Sequence, residues 1–327
     1  MKIGKVPESV LKRSVIKQIK TRRPEVLKGA SVGEDCAAIE LKDNEVFVLS
    51  TDPITGTAND CGRLAVHITA NDLASAGAEP VGIMLTVLLP ESTEEADIKA
   101  LMKEVEEACA ELNIQIVGGH TEITNVVNQP VISVTGVGKT NKDAFVATGN
   151  AIPGDDVVIT KWIGLEGTAI IAKDKEEELK GRFPAPFVDG AKDFLKYISV
   201  VPEAAVAVKH GVSAMHDVTE GGIYGALWEI AEASKVGLEI DLKSIPIKQE
   251  TVEICDYCSI NPYGLISSGC MLITTANGHD LVRELNKEGI SATVIGKVTA
   301  GNDRVIINDD ERRFLEPPKT DELYKVV

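Results

Sequence analysis

The sequence predicts an α/β (α+β) protein with two domains, and three features of its length and composition support this. The chain has 327 residues, which exceeds the common size of a single domain. Hydrophobic residues make up 44% and charged residues 26%, a balance typical of folded globular proteins rather than disordered or fibrous chains. Aromatic residues are only 4% while glycines number 28, which favours Val- and Ile-rich strands under Ala-rich helices over an all-β sandwich.

The first half of the chain alternates between helical and strand patterns. Apolar residues at helical spacing predict helices over Glu8–Ile19 and Gly62–Ala76, with Gly77 as the C-cap of the second. The run Ser92–Glu95 is a capping signal, so a long amphipathic helix is expected to follow it. Short runs of β-forming residues predict a mixed sheet backed by helices on one face. Its predicted strands are Val46–Ser50, Val81–Leu89, Ile114–Val117 and Pro130–Gly138.

Turn-forming residues at Ala151–Asp155 predict the domain boundary, with an N-terminal domain of residues 1–150 and a C-terminal domain of residues 151–327. Helices and strands also alternate after this turn, so the second domain is expected to be α/β. Its predicted helices are Glu166–Lys173, Ala191–Ser199, Pro202–His210, Gly222–Ser234 and His279–Lys287, and its predicted strands are Val157–Thr160 and segments near Leu238, Met271 and Val294.

The charge balance and the apolar pattern exclude several classes of protein. The formal net charge of −16 would repel a nucleic-acid backbone, so non-specific nucleic-acid binding is not expected. The N-terminal residues lack the apolar core of a signal peptide, and no run of about 18 apolar residues occurs anywhere. We therefore expect a cytoplasmic protein that does not enter a membrane.

The six cysteines are too sparse for a disulfide scaffold. Only Cys255 and Cys258 form a C-x-x-C, and neither a second pair nor nearby histidines follow to complete a zinc site. This spacing favours two structural cysteines on a helix over a metal or redox site.

Three aspartates lie where predicted elements meet polar turns: Asp35, Asp52 and Asp72. Converging carboxylates bind Mg²⁺, a hard cation that keeps some of its waters and bridges to nucleotide phosphates. Each residue also has an ordinary interpretation, as a turn acid, a helix cap or a solvated helix acid. Their occurrence within one predicted domain favours the magnesium interpretation.

The segment Gly118–Thr121 follows a predicted buried strand. Paired glycines allow backbone N–H groups to approach a phosphate closely, and Thr121 adds a hydroxyl donor. A tight turn with His120 as an ordinary polar residue is the alternative. The segment is neither a Walker A loop nor a dinucleotide-binding G-x-G-x-x-G.

The segment Asp217–Gly222 has the pattern of a strand end, a polar turn and a helix start. A helix N-terminus has free N–H groups and a partial positive charge, so it can bind an anion there. Asp217 offers a carboxylate that can orient a nucleophile or accept its proton. Alternatively, Thr219 or Asp217 is a plain N-cap of the helix.

These motifs occur in an order that resembles the aminoimidazole ribonucleotide synthetase (AIR synthase) superfamily over nearly the whole chain. The segments that carry the resemblance are Gly33–Ala38, Thr51–Asp52, Asn71–Ala74, Gly118–Thr121, Val134–Gly138, Pro153–Asp155, Asp217–Gly222 and Asn261–Gly269. The superfamily includes selenophosphate synthetase, thiamine-monophosphate kinase and a hydrogenase maturation factor that dehydrates a carbamoyl thioester. The turn Asp217–Gly222, the segment Asn261–Gly269 and Ile295–Val298 are most similar to the hydrogenase maturation factor branch.

The resemblance implies an ATP-binding N-terminal domain whose mixed sheet dimerises into a barrel, with a C-terminal α/β domain closing over the nucleotide. It implies that Asp35, Asp52 and Asp72 hold magnesium and phosphates. The remaining cofactor-binding candidates are Gly118, Gly119, Thr121, Thr219, Gly221 and Gly222. Asp217 and His120 are the candidate catalytic residues, and several members of the superfamily carry an acid in place of His120.

Two departures from the superfamily pattern affect the expected activity. The chain ends Asp321–Val327 without the terminal cysteine on which the hydrogenase maturation factor presents its thiocarboxamide, and no cysteine precedes Cys36 as in selenophosphate synthetase. We expect a Mg²⁺-dependent, ATP-binding homodimeric enzyme that phosphorylates or activates an oxygen of a small-molecule or protein-borne substrate. The alternative is a non-catalytic nucleotide-binding partner in a metallocentre maturation complex.

Overall fold

A computed structural model describes residues 4–5, 7–30, 37–54, 60–317 and 320–326. The chain forms two compact units, one of residues 1–74 and 78–145 and the other of residues 75–77 and 146–327. Both units contain helices and strands, which confirms the predicted α/β class. No helix among the described residues combines the length and the apolar character that crossing a membrane requires.

The first unit is built on a mixed sheet. Its helices and strands are β1 (Gly4–Lys5), α1 (Glu8–Val10), β2 (Val26–Lys28), β3 (Ala38–Ile39), β4 (Glu45–Ile54), α2 (Cys61–Ser75), β5 (Glu79–Leu89), α3 (Glu95–Leu112), β6 (Gln115–Ile123) and β7 (Val131–Asn141). Five strands form a sheet in the order β1-β6-β5-β7-β4, and β2 pairs with β3. Within the five-stranded sheet the β5–β6 pair is parallel and the other pairs are antiparallel.

The two faces of this sheet differ sharply. Helix α2 packs on one face, where a Cβ added to Gly136 would lie 2.4 Å from the Thr69 side chain. The opposite face carries Phe47, Leu49 and Met84, which are 44%, 66% and 40% exposed. An apolar face that is this exposed is unusual for a sheet that functions alone, because folded proteins normally bury large apolar surfaces away from water.

The first predicted helix, Glu8–Ile19, is wrong in its form. Only Glu8–Val10 is α-helical, and Leu11–Val15 is π-helical before a 3₁₀ turn over Ile16–Gln18. Arg13 and Ser14 both bind the Glu95 carboxylate at the start of α3. These tertiary bonds hold the segment in an irregular conformation that apolar periodicity alone does not reveal.

The second unit contains β8 (Asp156–Thr160), α4 (Leu165–Asp174), α5 (Glu176–Lys180), α6 (Ala185–Lys192), α7 (Val201–His210), β9 (Ala214–Asp217), α8 (Gly222–Ser234), β10 (Gly237–Asp241), α9 (Gln249–Cys258), β11 (Met271–Thr275), α10 (Gly278–Lys287), β12 (Ala292–Thr299), β13 (Arg304–Asn308) and β14 (Glu311–Phe314). Seven strands form a sheet in the order β14-β13-β10-β12-β8-β11-β9. Strands β8 and β11 are buried at every position, as expected for continuous apolar strands covered on both faces.

The predicted helix over Ala191–Ser199 is also wrong. Helix α6 ends at Lys192, and Asp193–Tyr197 is a 3₁₀ helix. The carbonyl oxygens of Tyr197 and Ser199 accept hydrogen bonds from Lys161 Nζ, at 2.9 and 2.6 Å. These carbonyl oxygens therefore bond to Lys161 in a tertiary contact, and they do not take part in a continuing α-helix.

Candidate functional site

Two of the three predicted magnesium ligands converge in the first unit. Strand β4 directs the side chains of Ser50 and Asp52 toward the face on which α2 packs, and Asp72 projects from α2. The Ser50 hydroxyl donates a hydrogen bond to Asp72 Oδ2 and lies 3.3 Å from Asp52 Oδ2. The carboxylates of Asp52 and Asp72, both half-buried, thus approach the same hydroxyl group, that of Ser50.

These groups have the chemistry that Mg²⁺ prefers. Carboxylate and hydroxyl oxygens are hard ligands, and two protein carboxylates leave the other coordination positions to water and substrate phosphates. Within the described parts of the chain, no three His, Cys, Asp or Glu side chains form a complete metal-binding group. The third predicted ligand, Asp35, lies outside the described residues.

His120 lies on the other face of the sheet from this carboxylate pair. Asp52 is opposite Val134, Val134 is opposite Leu85, and Leu85 is opposite Gly119, so these four residues share one face. The next residue, His120, therefore points to the open face, where its Nε2 lies 3.1 Å from Glu122 Oε2. Within the first unit the structure does not bring His120 together with Asp52 and Asp72.

The tight-turn alternative at Gly118–Thr121 is wrong, because β6 continues through this segment. The β5–β6 register shifts next to Gly118, which marks a bulge. A Cβ at Gly119 would lie only 2.2 Å from the Leu85 carbonyl oxygen, so the close strand contact itself requires glycine. Thr121 is buried.

In the second unit, Asp217 is the last residue of β9 and is 5% exposed. The N-cap of α8 is Gly221, with φ of 82°, and it has no side chain that could cap the helix. The plain N-cap alternative for Thr219 or Asp217 is therefore wrong. The turn is closed instead by a backbone hydrogen bond from the Gly222 N–H to the Thr219 carbonyl, at 3.0 Å.

An internal anion occupies the start of α8. Asp321 Oδ2 accepts a hydrogen bond from the Gly221 N–H at 2.6 Å, and Oδ1 accepts from the N–H groups of Ile266 and Leu323 at 3.2 and 2.8 Å. Burial raises the pKa of Asp321, while these three backbone donors oppose the rise. The role of Asp321 was not predicted from the sequence, since its local signal is only that of an N-cap before Glu322.

Glu166 is a second buried acid that was not predicted from the sequence. It lies in the first turn of α4 and is 3% exposed. The only sequence signal for Glu166 is its position between two glycines, Gly164 and Gly167, after a strand. An acid in the first turn of a helix is usually solvated, however, and interacts there with the helix dipole.

Cys255 and Cys258 both lie on α9, as predicted. Cys255 is wholly buried in an apolar cluster, and this burial raises the pKa of its thiol to about 12. Burial also raises the pKa of Cys258. Thiols with raised pKa values are poor nucleophiles and poor metal ligands, which supports a structural role.

Replacing Gly222 with alanine is expected to destabilise the second unit by about 3 kcal/mol. Gly222 has φ of 60°, and an added Cβ would lie 2.7 Å from the carbonyl oxygens of Leu265 and Tyr263. Gly211→Ala is the matched control, because Gly211 has φ of 80° but no atom within 4 Å of the added Cβ, so it should cost about 1 kcal/mol. Urea unfolding of the two variants measures the difference, and equal losses would contradict the packing argument.

Comparison with known proteins places these features in a family. The description "AIR synthase related protein, N-terminal domain" matches residues 33–140, and "AIR synthase related protein, C-terminal domain" matches residues 153–308. A Methanocaldococcus jannaschii protein with the provisional name hydrogenase expression/formation protein is 29% identical over 334 residues, covering 99% of this chain and 97% of that protein. Carbamoyl dehydratase HypE from Rhizobium leguminosarum bv. viciae is 28% identical over 279 residues, covering 82% of this chain and 77% of that protein.

A solved structure shares the fold over almost the full length. The crystal structure of hydrogenase maturation protein HypE in complex with ATP matches with a TM-score of 0.80 and 20% identity, covering 98% of this chain and 96% of that chain. The resemblance found in the sequence motifs is thus confirmed by matches in both units, and the chain belongs to the AIR synthase related family, with relatives named as a hydrogenase expression/formation protein and as carbamoyl dehydratase.

Proposed function

We propose that this protein is a Mg²⁺-dependent, ATP-binding enzyme that phosphorylates or otherwise activates an oxygen atom of a small-molecule or protein-borne substrate. The observation that carries the proposal is the convergence of Asp52 and Asp72 on the Ser50 hydroxyl. The HypE structure that shares this fold is a complex with ATP, which supports ATP as the nucleotide.

The residues have distinct proposed roles. Asp52, Asp72 and Asp35 hold Mg²⁺, and a bound Mg²⁺ ion neutralises phosphate charge during transfer. Asp217 orients the acceptor oxygen or accepts its proton. An amide or carboxylate oxygen is a poor leaving group until it is phosphorylated, so such an activation step is consistent with the carbamoyl dehydratase relatives.

The other candidate residues keep narrower roles. Gly118, Gly119, Thr121, Thr219, Gly221 and Gly222 remain proposed nucleotide or substrate contacts. Gly221 and Gly222 already use their N–H groups within the second unit, so a ligand anion at the start of α8 would compete with Asp321. His120 is proposed as a polar residue of the open sheet face.

We also propose that the protein is a homodimer in which the open faces of two first-unit sheets meet. Exposed Phe47, Leu49 and Met84 supply the apolar surface that such a contact would bury. Strands β5 and β7 both lie inside the sheet, so they present no exposed edge for pairing with a second copy. The face of the sheet, rather than its edges, is therefore the proposed interface.

A second candidate is a non-catalytic partner protein in a metallocentre maturation complex. The names of the relatives, which refer to hydrogenase expression, formation and maturation, favour this alternative. Such a protein would retain the dimer and nucleotide binding without turnover.

ATP turnover distinguishes the two candidates. Hydrolysis would be measured with Mg²⁺ alone and then with a cellular metabolite extract, for the wild-type chain and for the Asp52→Asn, Asp72→Asn double variant. Turnover that depends on the two carboxylates supports the enzyme. Nucleotide binding without carboxylate-dependent turnover under either condition supports the partner protein.

Asp217→Asn is expected to lower turnover about 100-fold while the melting temperature and the ATP affinity stay nearly unchanged. Asparagine keeps the size and polarity of the side chain but cannot accept a proton. Kinetics under the condition that gives wild-type turnover, together with thermal melting, measure both effects. Asp256→Asn, at an exposed position on α9, is the control, and unchanged turnover in Asp217→Asn would contradict the role of Asp217.

A further inference from the structure

The segment 266–270 is where the start of α4 is anchored. The Gly164 N–H donates to Ser267 Oγ at 2.7 Å, and the Gly167 N–H donates to the Ile266 carbonyl at 3.1 Å. Ser267 and Ser268 are completely buried. The first turn of α4, including Glu166, is therefore fixed against this segment.

Two other acids meet the same segment from different elements. Asp321 Oδ1 accepts from the Ile266 N–H. Asp217 ends β9, and the next residue, Val218, donates its N–H to the Cys270 carbonyl at 3.0 Å. Glu166, Asp217 and Asp321 thus come from three separate parts of the second unit to one buried segment.

Glu166 differs from Asp321 in its hydrogen bonding. Among the described residues, the Oε2 atom of Glu166 is buried without a hydrogen-bond partner. Burial raises the pKa of Glu166 to about 7, and the charges of Asp321 and Asp217 add to the rise, whereas the hydroxyl and N–H of Ser268 oppose it. Asp321 by contrast has three backbone N–H donors for its charge.

We propose that Glu166 is a positioning residue that carries the proton of the cluster formed by Glu166, Asp217 and Asp321. A neutral Glu166 allows Asp217 and Asp321 to remain ionised in the buried interior of the second unit, with Asp321 bonded to Gly221 and Asp217 serving the acceptor substrate. Ionised Glu166 would repel both and displace them. This inference rests on the proposed function, because it assigns Glu166 a role through Asp217 in that reaction.

Two carboxylates from other elements act on Glu166. Asp217 lies at the end of β9 and Asp321 in the C-terminal segment, and the charges of both raise the pKa of Glu166. Tyr324 lies in the same C-terminal segment, and burial raises the pKa of its hydroxyl, so it adds no charge near pH 7. The strongest charges that act on Glu166 are thus carboxylates, which favour the protonated form.

The protonation state can be measured directly, without any activity. Carboxyl-carbon NMR of protein with ¹³C-labelled glutamate should show one signal that titrates near pH 7, and this signal should be absent from Glu166→Gln. In Asp217→Asn the same signal should titrate at lower pH, because one repelling charge is gone. If Glu166→Gln does not fold, this shift in Asp217→Asn identifies the signal. A Glu166 carbon that titrates near the ordinary value of 4.5 would overturn the proposal.

The pH profile of turnover tests the positioning role. Wild-type kcat should fall about tenfold between pH 6 and pH 8 as a group with a pKa of about 7 loses its proton, whereas Glu166→Gln, which is neutral at every pH, should not show this fall. Glu177→Gln, at an exposed position on α5, should keep the wild-type profile. If the profiles of the wild type and Glu166→Gln coincide, the group is only structural and the proposal is overturned.

The two readouts separate this inference from the proposed function. Absence of ATP turnover in the wild type at every pH would contradict the function, and the role of Glu166 in it, while the carbon titration would still identify where the proton lies. Turnover in the wild type with a Glu166 signal at ordinary pKa would contradict the inference alone.

Discussion

Replacing Asp52 or Asp72 with asparagine is expected to weaken the binding of Mg·ATP by about 10- to 100-fold, which corresponds to roughly 1.4 to 2.7 kcal/mol. Each substitution removes one negative oxygen ligand, and the amide that replaces it binds a hard divalent cation less strongly. Ser50 joins the two carboxylates, so the losses should not be additive. Calorimetric titration with Mg·ATP measures the affinity of each single variant and of the double variant.

The control for this prediction is Asp43→Asn. Asp43 is exposed in the turn before β4, and its carboxylate lies outside the Asp52–Asp72 pair. It should bind Mg·ATP as the wild type does. Equal affinities in Asp43→Asn, Asp52→Asn and Asp72→Asn would show that the carboxylate pair is not the magnesium site.

Leu49→Asp is expected to convert a homodimer into a monomer. Leu49 is 66% exposed on the open face of the first-unit sheet, where it is opposite Val137. In a two-fold dimer one substitution places two unpaired charges in the interface, and each costs several kcal/mol when it is buried without a partner. Light scattering at micromolar concentration measures the mass of each form.

Val126→Asp is the matched control for the dimer. Val126 is 79% exposed in the connection between β6 and β7, outside the strands that form the open face. It should leave the mass unchanged. A wild-type monomer, or a Leu49→Asp protein that is still a dimer, would contradict the proposed interface.

The sequence was most informative about regular elements. The helix predicted at Gly62–Ala76 is α2 (Cys61–Ser75), and the strand predicted at Val81–Leu89 lies within β5, because both have strong apolar patterns. The segment Leu11–Gln18 could not be predicted in its π and 3₁₀ form, because bonds to Glu95, about 80 residues away in sequence, determine it.

The candidate site was only partly predictable from the sequence, because contacts between distant segments bring some of its residues together. Alternation along β6 predicts that His120 and Thr121 point to opposite faces, but only the strand order shows that Asp52 lies on the face opposite to His120. Asp321 reaches the Gly221 N–H across 100 residues of sequence. No local pattern encodes such a contact, and the same holds for the burial of Glu166.

Thermal melting of the wild-type protein tests whether the chain binds Mg·ATP, on which every proposed role depends. Ligand that binds only the folded state stabilises it by RT ln(1 + [L]/Kd), or about 2.7 kcal/mol at a hundredfold excess over Kd. Millimolar Mg·ATP is therefore expected to raise the melting temperature, and EDTA should reverse most of the rise. A melting curve that millimolar Mg·ATP does not move would contradict the account.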